Sequence, residues 1–520
     1  MSELSAPSAA SLSFLQNQPR GLGVLFFTEM WERFSYYGMR SLLIFYLTQH
    51  FLFSDAEGYA IYGSYAALVY MSPLIGGLIA DRVTGARRAV VLGAVLLACG
   101  HFTMALEGPA AQAVVEGGTR IVTRDPGSLH IFYLALSLIV AGEAFLKANI
   151  STMVGRLYAP GDPRRDTGFT LFYLGINLGA FAATLICGYL GQKYGWRYGF
   201  GVAGFGMLIG LGVFWVGTRQ LAGIGDPPDR EFLLRKIAGP LSVQHLVYVA
   251  AGAIVAAAWL LLQTPALVSG ALGAVCVATA VALIGYGVVF CPREQRDRLI
   301  VAVVLMVFTV VFWALFEQGG SSLSLFTARN VDRTVMGFTI QAAQVVSLNP
   351  LFIMLLAVPF AWVWHALARR GVSLATPYKF ALGIAQVGLG FFILVWGARL
   401  AGANAQVGII FLVVAYFFHT TGELFLSPIG LSAVTKLAPS QIVGFAMGAA
   451  FLSVAAAQLV AARLAQTAAL SPVTSAGMGL SAGLDAYTRL FEMLGWIALG
   501  AAIVLGLLGP FLKRMMHGLE

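Results

Sequence analysis

The sequence predicts an all-α protein that crosses a membrane many times. Of its 520 residues, 59% are hydrophobic and only 11% are charged, and the mean hydropathy is +0.82. Apolar runs recur along the chain, and each is long enough to cross about 30 Å of hydrocarbon as a helix. We therefore predict a polytopic membrane protein with fourteen transmembrane helices, which follow one another as six, two and six.

The predicted spans form three groups along the chain. The first six lie near residues 22–52, 57–80, 87–107, 129–158, 166–190 and 195–217. Two more lie near 242–263 and 266–290, and because they lack the in-span charges of the other groups we read them as a peripheral hairpin. The last six lie near 298–328, 338–368, 375–401, 405–437, 439–466 and 485–514.

Charged stretches between these groups give the domain boundaries. We predict an N-terminal six-helix bundle over residues 1–217 and a C-terminal six-helix bundle over 298–520. Residues 218–297 between them hold cytoplasmic linkers and the inserted helix pair.

The distribution of arginine and lysine over the loops predicts that both termini are cytoplasmic. Alternate loops, counted from the N-terminus, contain basic pairs such as Arg87 with Arg88 and Arg369 with Arg370, and the opposite loops are poorer in basic residues. The first twenty residues are rich in serine and alanine and have no positively charged n-region, so we expect no cleaved leader.

Composition excludes several classes of function. The formal charge of +9 is mild for this length and requires no nucleic-acid partner. The phosphate-binding pattern Gly-x4-Gly-Lys-Ser/Thr is absent, so no nucleotide is expected, and no nucleophile–base pattern predicts an enzyme. Four cysteines lie in or beside apolar spans without ligand spacing, so we predict neither disulfides nor a metal site; they are Cys99, Cys187, Cys276 and Cys291.

One face of the first span carries most of its polar residues. At about 100° per residue these side chains fall within an arc of roughly 140°. Charges at membrane depth are costly unless they face protein or a watery cavity. We therefore predict that this face lines an internal polar pathway, the alternative being an amphipathic surface helix of a soluble protein. The residues are Glu29, Glu32, Arg33, Tyr36, Tyr37 and Arg40.

Charged residues also lie deep in later spans. Lys147 is the only lysine in such a position, and Glu317 and Glu423 are isolated carboxylates. Each could be half of a structural ion pair. However, Arg40 and Lys147 belong to the N-terminal half and the two glutamates to the C-terminal half, so a site between the halves would be positive on one wall and negative on the other.

Several motifs resemble those of a known transporter family. The loop at 76–88 resembles the signature of the major facilitator superfamily, and 29–38 resembles the first-helix motif Glu-x-x-Glu-Arg-Phe-x-Tyr-Tyr-Gly of its proton-dependent oligopeptide transporters. Stretches 146–152, 172–179, 316–319, 347–352 and 422–428 are similar to the family's motifs in helices four, five, seven, eight and ten. Because the matches occur in order over nearly the whole chain, the chain is identified as a bacterial-type member of this family.

The resemblance implies a function and a set of binding residues. It implies two pseudo-symmetric bundles that import di- and tripeptides with protons, by alternating access, across a bacterial inner membrane. Arg40 and Lys147 would face the peptide carboxylate, and Glu423 would take the terminal ammonium. The implied substrate-binding residues are Tyr36, Tyr37, Arg40, Tyr70, Lys147, Asn177, Asn349, Glu423 and Ser427.

The resemblance also implies how protons are coupled. Burial favours the neutral form of a carboxyl group and a nearby cation opposes this, so a glutamate that loses its cation during rocking can carry a proton across. The candidates are Glu29 and Glu32 beside Arg33, with Glu317 as a second carrier. The proton is the coupling ion and no cofactor is expected; the predicted partners are the peptide, protons and the lipid bilayer, and the chain is expected to act as a monomer.

The predicted gates join the two halves. Arg40 lies about 16 Å along the first helix from Glu29, a height similar to that of Glu317 in the seventh. We therefore predict an Arg40–Glu317 gate on the periplasmic side. Lys147 and Glu423 complete the set of gating candidates.

Three positions depart from the family pattern. Ala148 stands where relatives commonly have proline, and Ala450 where some bacterial members have tryptophan, which would widen one pocket. Gly63 stands where animal relatives carry a histidine, so that histidine cannot couple protons here. His419, one turn before Glu423, is read first as a packed residue. Two further functions stay open: transport of nitrate or another small anion by the same fold, and a membrane receptor or enzyme that does not move its ligand.

Overall fold

The all-α fold class is confirmed in the computed structural model, which describes residues 17–116, 119–371, 374–402, 404–469 and 480–519. In these ranges thirteen helices are long and apolar enough to cross a membrane. One more helix, α1 (Arg20–Phe45), is 26 residues long but is less apolar because it contains the charged stripe. With α1 the number of spans is the predicted fourteen. The prediction of no leader falls on residues 1–16, which lie outside the described ranges.

The first bundle contains six spans, and two of them include π-helical turns. A π-helical turn, Tyr46–His50, continues α1, and another, Ala80–Thr84, ends the second span, Asp55–Thr84. The helices after α1 are α2 (Asp55–Met71), α3 (Pro73–Ile79), α4 (Ala86–Ala105), α5 (Pro126–Arg156), α6 (Arg165–Tyr194) and α7 (Trp196–Gly217).

Local signals explain where these helices begin. Ser54 and Glu57 form a capping box at the start of α2, because each side chain accepts a hydrogen bond from the other residue's backbone N–H. Asp125 caps α5 by accepting a hydrogen bond from the N–H of Ser128, and Pro126 occupies the first helical position. An antiparallel hairpin of β1 (Gln112–Glu116) and β2 (Thr119–Thr123) connects α4 to α5.

The inserted pair lies at the periphery, since few of its residues are buried. A linker precedes this pair. It contains the 3-10 turn Thr218–Leu221, the short helix α8 (Arg230–Leu234) and the strands β3 (Lys236–Ala238) and β4 (Leu241–Ser242). The pair consists of α9 (Val243–Leu262), which packs on α5, and α10 (Pro265–Phe290).

The second bundle begins with a broken span. Its first helix, α11 (Arg293–Phe316), is followed by the 3-10 turn Glu317–Gly320 and by α12 (Ser322–Asn330). The other helices are α13 (Leu348–Arg369), preceded by the 3-10 turn Ala342–Ser347, then α14 (Thr376–Leu400), α15 (Ile409–Leu437), α16 (Val443–Gln466), preceded by the 3-10 turn Ser440–Ile442, and α17 (Leu480–Met515).

Short strands lie in the connections of this bundle. One parallel pair and one antiparallel pair are formed. The parallel pair is β5 (Val331–Asp332) with β8 (Val407–Gly408), and the antiparallel pair is β6 (Thr334–Val335) with β7 (Phe338–Thr339).

Glycines allow the close approaches that position the central residues. A Cβ atom on Gly320 would overlap the hydroxyl of Tyr62, so the break after α11 lies directly against α2. A Cβ on Gly63 would meet Ala462, where α2 packs on α16. A histidine at this position would have no room, which gives a packing reason for the departure noted above.

The other two departures are also placed. Helix α5 passes through Ala148 without interruption, and the Asn149 side chain donates to the carbonyl of Phe145 in the same helix. Ala450 is buried in a small apolar cluster with Leu283 of α10 and Val303 of α11. It lies outside the lining of the central cavity described next, so the expected widening is not at that cavity.

Candidate functional site

A cavity of about 130 Å³ lies between the two bundles. One wall comes from α1 and α2, and the other from the break after α11 and from helices α13 and α15. The lining contains charges of both signs among aromatic rings. It comprises Tyr37, Arg40, Ser41, Tyr62, Tyr70, Trp313, Phe316, Glu317, Gly319, Gly320, Val346, Asn349, Tyr416, His419 and Glu423.

The structure brings Arg40 and Glu317 together across this cavity. The Arg40 guanidinium forms an ion pair with the Glu317 carboxylate, and both residues are buried. The Nε–H of Arg40 also donates to the hydroxyl of Tyr62 at 2.8 Å. This contact joins α1 to the break after α11, as the predicted gate requires.

A second ion pair joins the bundles at the end where α1 finishes and α2 begins, here termed the α1–α2 end. Arg329 donates to both carboxylate oxygens of Asp55, at 2.6 and 2.8 Å. Nearby, the side-chain amide of Gln466 donates to the carbonyl of Ala56 at 2.9 Å. No sequence pattern predicted this ion pair, because Asp55 follows the N-cap Ser54 and resembles an ordinary acidic residue in the first turn of a helix.

Lys147 and Glu423 are not paired with each other. The Lys147 ammonium lies 4.0 Å from the ring centre of Tyr70, and it has no ion pair with any described residue. Glu423 is buried and accepts a hydrogen bond of 2.8 Å from the side-chain amide of Asn349. Glu423 likewise has no cationic partner within the described ranges. One cation and one anion on opposite bundles therefore have no direct ion-pair partner among the described residues.

Beside the cavity, the charged residues of α1 form a buried cluster. The guanidinium of Arg33 pairs with three carboxylates. Its Nε lies 3.0 Å from an oxygen of Glu29 and also pairs with Glu32, and its Nη2 lies 3.7 Å from an oxygen of Glu143 on α5. Gly179 of α6 lies against the backbone of Met30. This close contact packs the charged part of α1 directly on α6.

Glu143 is a member of this cluster that sequence reasoning missed. The signal that could have found it is a carboxylate inside an apolar span, one helical turn before Lys147.

Other predicted site residues lie outside the cavity lining, and Lys147 is one of them, although its ammonium lies against Tyr70, which does line the cavity. Tyr36 is buried, with its ring 5.7 Å from the Lys147 ammonium. The Asn177 side chain donates to the carbonyl of Tyr173 in its own helix at 2.9 Å. Ser427 is half-buried on α15, one turn after Glu423.

The lining also contains residues that were not predicted. They include Tyr62, Trp313, Phe316 and Tyr416, as well as His419, which was read first as a packing residue. Aromatic residues in apolar spans carry no sequence signal that separates a cavity wall from a packed core. Together the lining can hold a small molecule that carries opposite charges at its two ends and has apolar groups between them.

The chain is similar to known transporters along most of its length. Residues 87–480 match the sequence profile described as the POT family. The chain is 37% identical over 516 residues to the "Uncharacterized transporter YclF" of Bacillus subtilis (strain 168), covering 96% of this chain and 95% of that protein. It is 33% identical over 521 residues to "Dipeptide and tripeptide permease A" of Yersinia pestis, covering 98% and 95%.

A solved structure is also similar. A mutant of peptide transporter POT, crystallised in complex with alafosfalin, has 36% sequence identity and a TM-score of 0.78, with 96% of each chain covered.

Prediction: cysteines placed at positions 40 and 317 will be joined by a short bifunctional thiol reagent. The ion pair spans two long side chains, so a direct disulfide would be too short to bridge the backbones. The measurement is cross-linking of the membrane-embedded chain in a background without the four native cysteines. The single substitutions Arg40→Cys and Glu317→Cys are the controls, and absence of a cross-link under every condition contradicts the gate.

Proposed function

Because the chain belongs to the POT family, which consists of membrane transporters and not enzymes, we propose that it is a proton-coupled symporter for di- and tripeptides. It is proposed to import them by alternating access. The match to the family profile, the likeness to "Dipeptide and tripeptide permease A" and the two-signed cavity support this proposal.

The observation that carries the proposal is that Lys147 and Glu423, on opposite bundles, are charged residues without a direct ion-pair partner among the described residues. At neutral pH a short peptide has an ammonium group at one end and a carboxylate at the other. Glu423 is available for the ammonium because its one described polar partner, Asn349, is an amide. Lys147 is available for the carboxylate, since an aromatic face and not an acid lies beneath its ammonium.

Arg40 gives the carboxylate a second partner and makes the gate sensitive to substrate. A guanidinium can hold a carboxylate through two parallel hydrogen bonds, so the peptide would compete with Glu317 for Arg40. Tyr37 and Tyr70 in the cavity lining would contact the peptide backbone and side chains. Tyr36, Asn177 and Ser427 stay predicted contacts, which would require the bundles or side chains to move.

The distribution of interbundle contacts supports alternating access. In this conformation the Arg40–Glu317 and Asp55–Arg329 pairs hold the α1–α2 end closed. With cytoplasmic termini, this end is periplasmic, and the peptide would leave at the opposite end. Rocking of one bundle against the other must then break both ion pairs to admit the next peptide.

Proton coupling is proposed for the groups that hold these contacts. Protonation of Glu317 would remove its attraction for Arg40 and open the gate. Glu29 and Glu32 compete for one guanidinium, Arg33, so protonation of one of them would leave Arg33 to the other. The proton is then the only coupling ion that the mechanism requires.

The alternatives fit the site less well. Nitrate or another small anion would use Arg40 and Lys147 but would be repelled by Glu423, which faces the same cavity. A receptor that does not move its ligand would share the binding site, and only a transport measurement separates it from a carrier.

The membrane setting follows from the relatives and the spans. The chain is a multi-pass membrane protein, and the two relatives named above are bacterial. We propose the inner membrane with both termini in the cytoplasm, and one chain as the functional unit, because a single chain provides both walls of the cavity.

The decisive experiment is uptake into proteoliposomes that contain the purified chain. An inward proton gradient should drive accumulation of labelled dipeptides above the equilibrium level, and a panel of di- and tripeptides should compete in counterflow. Binding without any counterflow would favour the receptor.

Prediction: Lys147→Ala will abolish accumulation of peptide driven by the proton gradient. The substitution removes the in-span lysine whose ammonium lies against Tyr70 of the cavity lining, and with it the proposed cation for the peptide carboxylate. The measurement is acid-driven uptake, with Lys236→Ala, an exposed lysine of the linker, as the matched control. Wild-type accumulation by Lys147→Ala would exclude this role.

Prediction: Glu423→Gln will weaken binding of peptides with a free amino terminus by about 10- to 100-fold. The amide keeps the shape but loses the charge, and a hydrogen bond to a charged group contributes about 1.5–3 kcal/mol. The measurement is inhibition of uptake by a free peptide and by its N-acetylated form. An equal loss for both peptides would show that Glu423 does not bind the ammonium.

A further inference from the structure

Glu143 is a buried carboxylate that the mechanism above does not use. Its side chain is fully buried on α5, and neither of its oxygens receives a hydrogen bond from a described residue. Among the described residues, Arg33 is the cation paired with it; the Arg33 Nη2 lies 3.7 Å from a Glu143 oxygen, and the guanidinium is shared with Glu29 and Glu32. An ionised carboxylate in this position would be poorly compensated.

The carboxyl groups of Glu32 and Glu143 lie within hydrogen-bonding range of each other. Two ionised carboxylates cannot form a hydrogen bond, because both only accept. When one of them is protonated, its O–H donates to the other, and the repulsion between the two charges is lost. The contact between these side chains is therefore favourable only with a proton between them.

The charges around Glu143 lead to the same requirement. Three carboxylates face the guanidinium of Arg33, and if the ammonium of Lys147 is counted as well, one negative charge is still uncompensated. One bound proton makes the cluster neutral. The groups that face Glu143 are Glu29, Glu32, Arg33 and Tyr36 from α1, Tyr65 from α2, His101 from α4 and Lys147 from its own helix.

His101 does not supply the missing positive charge in the described structure. It is fully buried, and neither ring nitrogen has a hydrogen-bond partner among the described residues. A charged imidazole would need partners for both N–H groups. The neutral ring leaves the proton to the carboxyl pair.

We propose that Glu32 and Glu143 together form a proton-binding site, which holds one shared proton that is exchanged in each transport cycle. This inference rests on the proposed symport and assigns a further residue to it. The proton comes from water on one side of the membrane, binds a carboxylate oxygen and leaves to water on the other side, so no other reactant is needed.

Lys147 connects this site to the substrate. When a peptide carboxylate binds the Lys147 ammonium, the positive charge of Lys147 offsets less of the negative charge on Glu29, Glu32 and Glu143. The Glu32–Glu143 pair then binds its proton more tightly. When the peptide leaves, the ammonium again compensates the cluster and the proton is released. Because coupling between two binding sites is reciprocal, a bound proton also strengthens peptide binding.

The test replaces Glu143 by glutamine in the full-length chain. The amide can still donate to Glu32, but it has no titratable carboxyl group, and the two remaining acids match the two cations. We expect the proton-to-peptide ratio, measured from the reversal of uptake, to fall by one relative to wild type. If this was the only coupled proton, gradient-driven accumulation disappears while peptide exchange persists. The infrared band of protonated carboxyl groups at neutral pH should also decrease.

Controls separate the possible outcomes. Glu116→Gln removes an exposed carboxylate of β1 and should leave the ratio and the band unchanged. If the wild type accumulates no peptide under a proton gradient, the symport proposal itself is wrong. If the wild type does so and Glu143→Gln keeps the same ratio and band, the shared-proton site is wrong.

If Glu143→Gln does not fold, a second variant, Glu143→Asp, still tests the proposal. Glu143→Asp keeps a titratable carboxyl group but moves it away from Glu32. It should keep the wild-type ratio and shift the pH at which uptake is half-maximal. A pH profile that coincides with that of the wild type would overturn the assignment.

Discussion

The ion pair between Arg40 and Glu317 is the contact on which the rest of the site depends. Each charge lies inside a membrane span, where an isolated ion would be very costly, and each comes from a different bundle. Breaking a buried pair by moving one partner leaves an uncompensated charge, and the penalty typically amounts to about 3–5 kcal/mol. The bundles can therefore separate at this point only when a proton or another carboxylate takes the place of the lost partner. The same contact that closes the α1–α2 end thereby makes its opening dependent on ligands.

Breaking the Asp55–Arg329 pair costs less free energy than breaking the Arg40–Glu317 pair. Arg329 is about one-third exposed, so water can replace part of what the pair provides when it breaks. This pair and the Gln466–Ala56 hydrogen bond fix the geometry of the closed end without controlling when it opens. We infer that the two ion pairs have different roles. The buried Arg40–Glu317 pair responds to protonation and to substrate, and the Asp55–Arg329 pair breaks only after the buried pair has opened.

Much of the fold and part of the site could be predicted from the sequence. The stripe on α1 was predictable because all its members share one helix, whose period fixes which side chains face the same way. The pairing of Arg40 with Glu317 followed from the heights of two charges in spans of known direction. Glu143 was missed because its neighbours come from another helix, and only the packing of α5 against α1 reveals that four charged groups converge. The Asn177 side chain bonds to its own helix, a rotamer choice that no sequence pattern records.

The arrangement of charges on two helices gives a physical route between substrate and proton. Helix α1 carries Arg33 in the carboxylate cluster and Arg40 in the cavity, and α5 carries Glu143 in the cluster with Lys147 one turn further on. Each helix thus carries one residue of the carboxylate cluster and one residue for substrate binding, at a fixed separation. On α5 this separation is about one helical turn, so a carboxylate bound to Lys147 changes the electrostatic potential at Glu143. No long chain of intermediate residues is required. Coupling at this distance is electrostatic, and its strength depends on keeping water out of the space between Lys147 and Glu143.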